Sequence, residues 1–339
     1  MTYRKSYFNT MKSFLAFVFL TTALMGCAQS EKKVSEQPIY LADPTIFHHN
    51  NMYYLYGTTT KASDSVGQGF LVYISKDIEN WEGPVGAKNG LALKKGDAFG
   101  DKGFWAPQVF SYNNKFYMAY TANEHIAMAT SDSPLGPFTN VSKEDLKAPV
   151  KQIDPFVFMD DDGKKYLYHV RLTEGNRIFV AELNDDLMSI KPETLTECIS
   201  GELPWENTVN ADWPVTEGPT VLKHKGLYYM LYSANDFRNP DYAVGYATSK
   251  SPLGPWKKSA HSPIIHKSIL KINGTGHGDI VVDANGQMQY VLHTHFNDTT
   301  TRPRKSAIVA IDFKDNNEEA DDITIKEDTF RFFKAALNK

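Results

Sequence analysis

The hydrophobic and polar positions of this chain follow one pattern that occurs five times. Each copy starts at a polar or small residue, continues through a few apolar residues and a polar turn, and ends in an aromatic-rich segment. Two such runs joined by a turn rich in Asn, Asp and Gly predict a β-hairpin. The copies are DPTIFHHNNMYYLYGTT, APQVFSYNNKFYMAYTA, DPFVFMDDDGKKYLYHV, GPTVLKHKGLYYMLYSA and HGDIVVDANGQMQYVLHT, which start at Asp43, Ala106, Asp154, Gly218 and His277.

A third apolar segment follows every hairpin. Two of these segments continue into nearly identical words, ATSDSPLGPF and ATSKSPLGPW, where Ser-Pro and Gly-Pro mark a turn towards a fourth strand. The third segments are FLVYIS, IAMATS, RIFVAEL, YAVGYATS and SAIVAIDF, which start at Phe70, Ile126, Arg177, Tyr242 and Ser306.

Four antiparallel strands repeated every ~50–60 residues are typical of a β-propeller blade. We therefore predict an all-β fold, a single five-bladed β-propeller with four antiparallel strands per blade that spans residues 38–339. A β-sandwich also contains many short strands, but it gives no reason for five copies of one four-strand unit.

Three carboxylates occupy or adjoin the opening position of a repeat: Asp43, Asp154, and Glu217 immediately before Gly218. The first strand of each propeller blade lines the central channel, so these residues should surround one axis. Burying carboxylates together raises at least one pKa and costs stability. A site that uses one protonated and one ionised carboxyl group requires such an arrangement, so we interpret the hub as catalytic.

Five motifs carry a family resemblance. LADPTIF, WAPQV, QIDPFVF, TEGPTV and GHGDIV together resemble glycoside hydrolase family 43, the five-bladed inverting glycosidases. The resemblance implies that Asp43 is the general base, that Glu217 is the general acid, and that Asp154 raises the pKa of the acid and orients it. Inversion also requires an acid and a base separated by roughly 6.5–9.5 Å, a gap that residues on different blades can supply.

Retaining fructan hydrolases share the propeller and are the natural competitor for this resemblance. Their WMNDPNG and RDP signatures are absent, since the first acid here lies in IYLADPTI and the middle acid lies in QIDPF. The inverting family is therefore favoured.

Further residues are candidate substrate contacts. Trp105, beside the hub position of the second repeat, is a candidate stacking wall for a sugar ring, with packing in the blade core as the alternative. Trp213, four residues before Glu217, is placed either on the rim or beneath it. The family resemblance implies a substrate-binding arginine at Arg304, with Arg302 as the alternative.

His277 occupies the fifth hub position. The family resemblance implies that it helps to hold a structural Ca²⁺ at the propeller hub. A neutral imidazole is an unusual sole protein ligand for this oxygen-seeking cation, so a hydrogen-bonded structural histidine is the alternative. No cofactor is expected to be required for the chemistry itself.

The N-terminal residues predict export. A positively charged start precedes the apolar run 14–24, which is too short to span a bilayer and is typical of a signal peptide. The run ends in LMGC, which resembles the bacterial lipoprotein cleavage box. We predict a signal peptide over residues 1–26, an acylated Cys27 with a polar tether over 27–37, and a lipid-anchored protein of the bacterial envelope, in the periplasm or at the cell surface. An ordinary secretory signal with a chance cysteine is the alternative.

Charge and cysteine content limit which partners and cross-links this protein can have. The net charge is −4 and the sequence has no Lys/Arg cluster, which argues against nucleic acid. With Cys27 acylated, Cys198 is the one remaining cysteine, so no disulfide can form within the chain. We expect a monomer that contacts the membrane only through its lipid anchor.

The combined expectation is an exo-acting α-L-arabinofuranosidase that acts on plant-cell-wall polysaccharide of the arabinan, arabinoxylan or arabinogalactan type. A β-xylosidase and an endo-1,4-β-xylanase or arabinanase of the same family remain open, because the hub acids are common to all of them. The long loop at residues 94–104 favours exo action. A non-catalytic glycan-binding propeller is the alternative of another class, and it predicts the loss of at least one hub acid.

Overall fold

The computed structural model describes residues 35–60 and 67–336. The predicted signal peptide, Cys27 and most of the predicted tether lie outside the described residues. Within the described ranges, no helix is long and apolar enough to cross a membrane.

The described chain is almost entirely β-structure and forms the predicted five-bladed β-propeller. The first strands of all five blades meet around one narrow central channel. From the axis outwards, the blade strands run antiparallel to their neighbours. Because the five hub strands share one axis, residues far apart in the sequence become neighbours there.

The strand bounds follow the repeats. Blade one contains Leu41–His49, Met52–Thr59, Tyr73–Ser75 and Trp81–Glu82. Blade two contains Trp105–Tyr112, Lys115–Ala122 and His125–Ser131. Blade three contains Gln152–Met159, Lys165–Leu172, Asn176–Glu182 and Thr196–Ile199. Blade four contains Thr216–His224, Leu227–Ala234, Ala243–Ser249 and Lys257–Lys258. Blade five contains Gly276–Val282, Met288–Thr294, Lys305–Lys314 and Asp322–Phe332.

Smaller elements complete the fold. A two-stranded sheet pairs Gly69–Leu71 with Leu91–Lys94. The helices are short, with 3₁₀ turns at Pro192–Thr194 and Pro204–Glu206 and one α-helical turn at Lys267–Leu270.

The fourth strand of blade two differs from the prediction. It is reduced to a single bridge between Thr130 and Thr139. The preceding turn has the same Ser-Pro and Gly-Pro steps as blade four, where Lys257–Lys258 does form a fourth strand, so these prolines do not account for the difference. The N–H group of Phe138 donates instead to the carbonyl of Ala92 in the two-stranded sheet, at 2.8 Å.

Both ends of the described chain meet at the outer edge of blade one. Glu36–Pro38 pairs with Lys334–Ala336, which in turn pairs in parallel with Trp81–Glu82. The sheet therefore begins at Glu36, two residues before the predicted boundary at residue 38. This pairing closes the ring, because it ties the last segment of the chain to its first blade.

Five hydrophobic clusters hold the blades together, one at each interface between neighbouring blades. At the interface of blades three and four, for example, Tyr168 packs in one cluster with Met230 and Tyr232. Burial of large aromatic side chains is the main stabilising term in such interfaces.

Every hub strand is interrupted at the same place. The strand register breaks on either side of the hub position, which is a β-bulge, and the residue at that position adopts a positive φ. The φ angles are 48° at Asp43, 44° at Ala106, 55° at Asp154, 57° at Gly218 and 40° at His277. Bulges re-aim side chains, and such backbone strain in non-glycine residues persists only where the surrounding structure enforces it.

The backbone N–H group at each bulge donates to a side chain of the preceding blade. This side chain stands on the second strand, opposite the residue just before the hub position. The donors in four blades are Ala106, Asp154, His277 and Asp43, and their acceptors are the side chains of Thr58, Thr121, Ser233 and His293 in that order. A ring of inter-blade hydrogen bonds thus holds the five bulges in place.

Blade three breaks this rule, because the corresponding residue is Val170, opposite Ile153, and it has no hydrogen-bonding atom in its side chain. The N–H group of Gly218 donates instead to Oδ2 of Asp154 at 3.2 Å. The carboxylate of Asp154 therefore completes the ring.

We predict that Thr121→Val, which keeps the side-chain shape, lowers the free energy of unfolding by about 1–3 kcal/mol, because the buried N–H group of Asp154 loses its acceptor. Urea unfolding followed by tryptophan fluorescence measures this change. The matched control is Thr196→Val at an exposed strand position, which should change stability by less than about 0.5 kcal/mol. Equal stability of both variants would show that the hydrogen-bond ring contributes nothing.

Candidate active site

The bulges direct the three predicted acids into one cleft of about 350 Å³. All five blades contribute to it. Its lining residues are Asp43, Trp105, Glu124, Ile153, Asp154, Leu172, Asn176, Trp213, Val215, Glu217, Asp236, Phe237, Arg238, His277, Arg302 and Arg304. Every catalytic or substrate-binding residue predicted from the sequence is among them.

Asp43 is buried and surrounded by positive or hydrogen-bonding groups. Its Oδ1 lies 3.1 Å from Nη1 of Arg304 and 3.4 Å from Nδ1 of both His277 and His293. Its Oδ2 accepts a hydrogen bond from the hydroxyl of Thr58 at 2.6 Å. Each of these contacts favours the ionised carboxylate.

The pKa of Asp43 lies well below its usual range as a result. Burial alone raises the pKa of this carboxyl, but the guanidinium of Arg304, the two histidines and the Thr58 hydroxyl together outweigh burial. Asp43 is therefore ionised at neutral pH and remains so below its ordinary carboxyl range.

Asp154 is equally buried but lacks a close cation. Nδ1 of His277 lies 3.7 Å from its Oδ2, but burial lowers the pKa of that imidazole and so disfavours its charged form. Burial and then the charges of Glu217 and Asp43 raise the pKa of Asp154 well above its usual value. The group that completes the hub ring thus tends to hold a proton.

Glu217 is half-buried at the edge of the cleft, and both of its oxygens accept hydrogen bonds. Oε1 accepts from the hydroxyl of Tyr242 at 2.8 Å, and Oε2 accepts from Nδ2 of Asn176 at 3.0 Å. Burial raises the pKa of Glu217 to about 7, and the charge of Asp43 acts in the same direction, whereas the two hydrogen bonds lower it. Near neutral pH the pair of Glu217 and Asp154 retains a proton while Asp43 does not.

Two tryptophans flank the cleft. Trp105 is 37% exposed and Trp213 is 48% exposed, so both present aromatic surface to solvent rather than packing in a blade core. No residue of the loop 94–104 lines the cleft, so that loop does not supply the wall expected from the sequence.

Arg304 and Arg302 both line the cleft, but they differ in their surroundings. Arg304 is buried, contacts Asp43, and lies over the ring of Phe237 with 4.5 Å between its Cζ and the ring centroid. Arg302 is exposed, and its Cζ lies 5.4 Å from the same centroid. Arg304 thus acts on Asp43 directly, and the choice between Arg304 and Arg302 as the substrate-binding arginine stays a prediction.

The side chain of His277 is packed between two carboxylates and the backbone of Gly218. Its Nδ1 faces the carboxylates of Asp43 and Asp154, and a Cβ added at Gly218 would lie 2.7 Å from its ring. Among the residues that the structure describes, no group of three or more His, Cys, Asp and Glu side chains is arranged to hold a metal. The hub Ca²⁺ stays a prediction, and no step of the chemistry is derived from it.

Sequence reasoning did not identify four polar residues of the site. Thr58 and His293 bind Asp43, whereas Asn176 and Tyr242 bind Glu217. Thr58 and His293 could have been found from the second strands, because they occupy the same position of the repeat as Thr121 and Ser233. Asn176 and Tyr242 lie at or just before a third strand and carry no comparable repeat signal.

The arrangement places an ionised carboxylate and a protonated carboxyl group in one cleft with aromatic walls. Opposite protonation states in neighbouring acids are the requirement for simultaneous general base and general acid catalysis. Aromatic walls suit the apolar faces of sugar rings.

Comparison with solved structures agrees with this description. An endo-1,4-β-xylanase from Bacteroides thetaiotaomicron superimposes with a TM-score of 0.80 and 40% sequence identity, covering 89% of this chain and 99% of that chain.

Curated relatives share lower identity. A β-D-galactofuranosidase of Aspergillus niger is 26% identical over 345 residues, which is 94% of this chain and 95% of that protein. An arabinoxylan arabinofuranohydrolase of Bacillus subtilis is 28% identical over 266 residues, which is 65% of this chain. The match spans about half, 49%, of the second relative.

The sequence profile described as Glycosyl hydrolases family 43 matches residues 36–318, which include all three acids and all five hub strands. The resemblance expected from the sequence motifs is thereby confirmed. The chain belongs to glycosyl hydrolase family 43 and is an inverting glycosidase.

Proposed function

We propose that this enzyme is an exo-acting α-L-arabinofuranosidase in which Asp43 is the general base and Glu217 the general acid. The observation that carries the assignment is the opposite protonation of two acids in one cleft. Arg304 and the histidines keep Asp43 ionised, whereas burial keeps a proton on the pair of Glu217 and Asp154.

The proposed reaction is a single displacement. Asp43 takes a proton from a water molecule as the water oxygen bonds to the anomeric carbon, and the bond from that carbon to the glycosidic oxygen breaks. Glu217 gives its proton to the departing oxygen, and the released sugar has the inverted configuration. The proton gained by Asp43 and the proton lost by Glu217 are exchanged with solvent before the next turnover.

Asp154 acts on the acid in this scheme through position and through the proton that the two groups compete for. The charge of Glu217 raises the pKa of Asp154, so by reciprocity an ionised Asp154 would raise the pKa of Glu217. Asp154 also accepts the N–H group of Gly218, the residue that follows Glu217. It therefore fixes the backbone beside the acid without contacting the bond that is cleaved.

The size of the cleft supports exo action. Its volume of about 350 Å³ is at the small end of the range for ligand pockets, ≈ 300–1,000 Å³. A short pocket between two tryptophans suits the end of a chain or a side-branch sugar better than the middle of a long polysaccharide.

The relatives support a furanoside substrate. The names of both curated relatives described above refer to furanosidase activity, on β-D-galactofuranosides and on arabinoxylan. We therefore infer that the substrate is an arabinofuranosyl branch or end of plant-cell-wall arabinan, arabinoxylan or arabinogalactan. Endo-xylanase activity is the second candidate, because the solved neighbour with that name shares 40% identity.

The deciding experiment compares hydrolysis of 4-nitrophenyl α-L-arabinofuranoside and 4-nitrophenyl β-D-xyloside, with the product anomer followed by proton NMR. We expect faster release from the arabinofuranoside and first appearance of the inverted β-anomer. As a control, incubation of linear xylan with the enzyme should leave the viscosity of the xylan solution unchanged. Rapid loss of viscosity with little release from either small substrate would instead establish endo-xylanase activity.

Replacement of either acid by its amide should separate chemistry from folding. We predict that Asp43→Asn and Glu217→Gln each lower kcat/KM by at least about 10²–10⁴-fold, because each removes one proton-transfer group. Thermal unfolding should remain cooperative in both variants. The matched control is Asp236→Asn, which alters a cleft carboxylate that pairs with Arg238 and takes no part in proton transfer. A loss in this control as large as in the other two would contradict the assignment.

The pH profile should follow from the unequal pKa values. Glu217 is protonated below its pKa of about 7, so kcat/KM should fall as the pH rises through about 7. Asp43 stays ionised far into the acid range, so little activity should be lost between pH 7 and the ordinary carboxyl range. Arg304→Met removes the cation that stabilises ionised Asp43 and should move the acidic limb to higher pH. If the acidic limb stays in place, Arg304 does not lower the pKa of the catalytic base.

A further inference from the structure

Glu217 and Trp213 stand on one segment that hydrogen-bonds to Asn176, the first residue of the third strand of blade three. The backbone N–H group of Asn176 donates to the carbonyl of Pro214 at 2.9 Å, and its own carbonyl accepts from the hydroxyl of Thr216 at 3.0 Å. Asn176 is therefore fixed by its main chain against the segment that carries the acid.

The side chain of Asn176 bridges the tryptophan and the acid. Nε1 of Trp213 donates to Oδ1 of Asn176 at 2.9 Å, and Nδ2 of Asn176 donates to Oε2 of Glu217 at 3.0 Å. An indole N–H group can only donate, so it requires the amide oxygen of Asn176 on its own side. The amide nitrogen is then directed at Glu217.

This orientation matters because the charge of Glu217 changes during the reaction. As Glu217 gives up its proton, negative charge develops on the oxygens that accept from Asn176 and Tyr242. Hydrogen bonds to a charged acceptor are about twice as strong as those between neutral groups. A donor held in place beforehand stabilises that charge without having to reorient.

We propose that Asn176, oriented by the indole N–H group of Trp213, is a positioning residue that makes Glu217 a stronger acid and stabilises it after proton transfer. The proposal rests on the assignment of Glu217 as the general acid. It gives Trp213 a second role beside that of a sugar-facing wall, since the indole ring faces the cleft and its nitrogen faces Asn176.

The loop 200–213, which carries Trp213, is held in place by a buried carboxylate. Glu206 in this loop is fully buried, and its carboxylate accepts from Nζ of Lys258 and the hydroxyl of Tyr232, both at 2.7 Å. The backbone N–H groups of Glu202 and Leu203 donate to the same carboxylate. A loop held in this way can keep the indole nitrogen in a constant position.

The test uses two aryl glycosides of the sugar that the wild-type enzyme prefers, one with a phenyl and one with a 2,4-dinitrophenyl leaving group. Dinitrophenolate departs without a proton, so only the phenyl glycoside depends on acid catalysis. Asn176→Ala should lower kcat on the phenyl glycoside by about 10- to 100-fold and change kcat on the dinitrophenyl glycoside by less than about threefold. The basic limb of its pH profile should move to higher pH, because the ionised form of Glu217 has lost a donor.

Trp213→Phe provides an independent variant that keeps an aromatic wall but loses the N–H group. It should show the same dependence on leaving group and the same direction of pH shift, with a smaller amplitude. The matched control is Asn184→Ala, which removes a hydrogen-bonded asparagine of the same blade outside the cleft and should behave as wild type on both substrates.

The outcomes distinguish failure of the acid role of Glu217 from failure of the positioning role of Asn176. If Glu217→Gln loses activity equally on both substrates, Glu217 is not the acid and the proposed mechanism fails. If Glu217→Gln spares the dinitrophenyl glycoside while Asn176→Ala and Trp213→Phe lose both activities equally, or leave the pH profile in place, the positioning role alone is overturned.

Discussion

Five backbone N–H groups at the hub must each find an acceptor, and the active site depends on how they do so. Each group lies at a bulge with positive φ, where a strained backbone is held by a hydrogen bond from the neighbouring blade. Four acceptors come from the second strands, whereas the fifth is the carboxylate of Asp154. The group that completes the scaffold is therefore one of the three acids of the cleft, so the position of Asp154 is fixed by the hub itself.

The charged and polar groups at the hub do not affect the three acids equally. Arg304, His277 and His293 all face Asp43, so one of the three acids is strongly stabilised as an anion. Because the neighbouring anion adds to the effect of burial, ionisation of Glu217 and Asp154 becomes less favourable. The group of Arg304 and the two histidines thus separates the protonation states of neighbouring acids. The stability lost by burying three carboxylates is offset by the aromatic interfaces between the blades.

The repeat pattern was sufficient to predict the blades, the hub positions and the three acids, because a propeller converts a sequence period into a shared axis. Arg304 could be chosen only with the help of the family resemblance. The fourth strand of blade two was predicted and is nearly absent, since the N–H group of Phe138 donates to Ala92 of the two-stranded sheet, a contact that the repeat does not encode. Asn176 and Tyr242 could not be predicted, because Asn176 reaches Glu217 from the neighbouring blade and Tyr242 from just before the third strand of its own blade, through side-chain directions that no sequence period encodes.

The sequence by itself determined which residues surround the axis and that three of them are acids, since the period of the repeats places one opening residue of each blade at the hub. Only the tertiary structure decided which acid is ionised and which keeps its proton. That difference depends on burial and on distances of 3–4 Å to groups up to 261 residues away along the chain. Electrostatic interactions fall off with distance in space and not with distance in sequence, so the fold sets these protonation states.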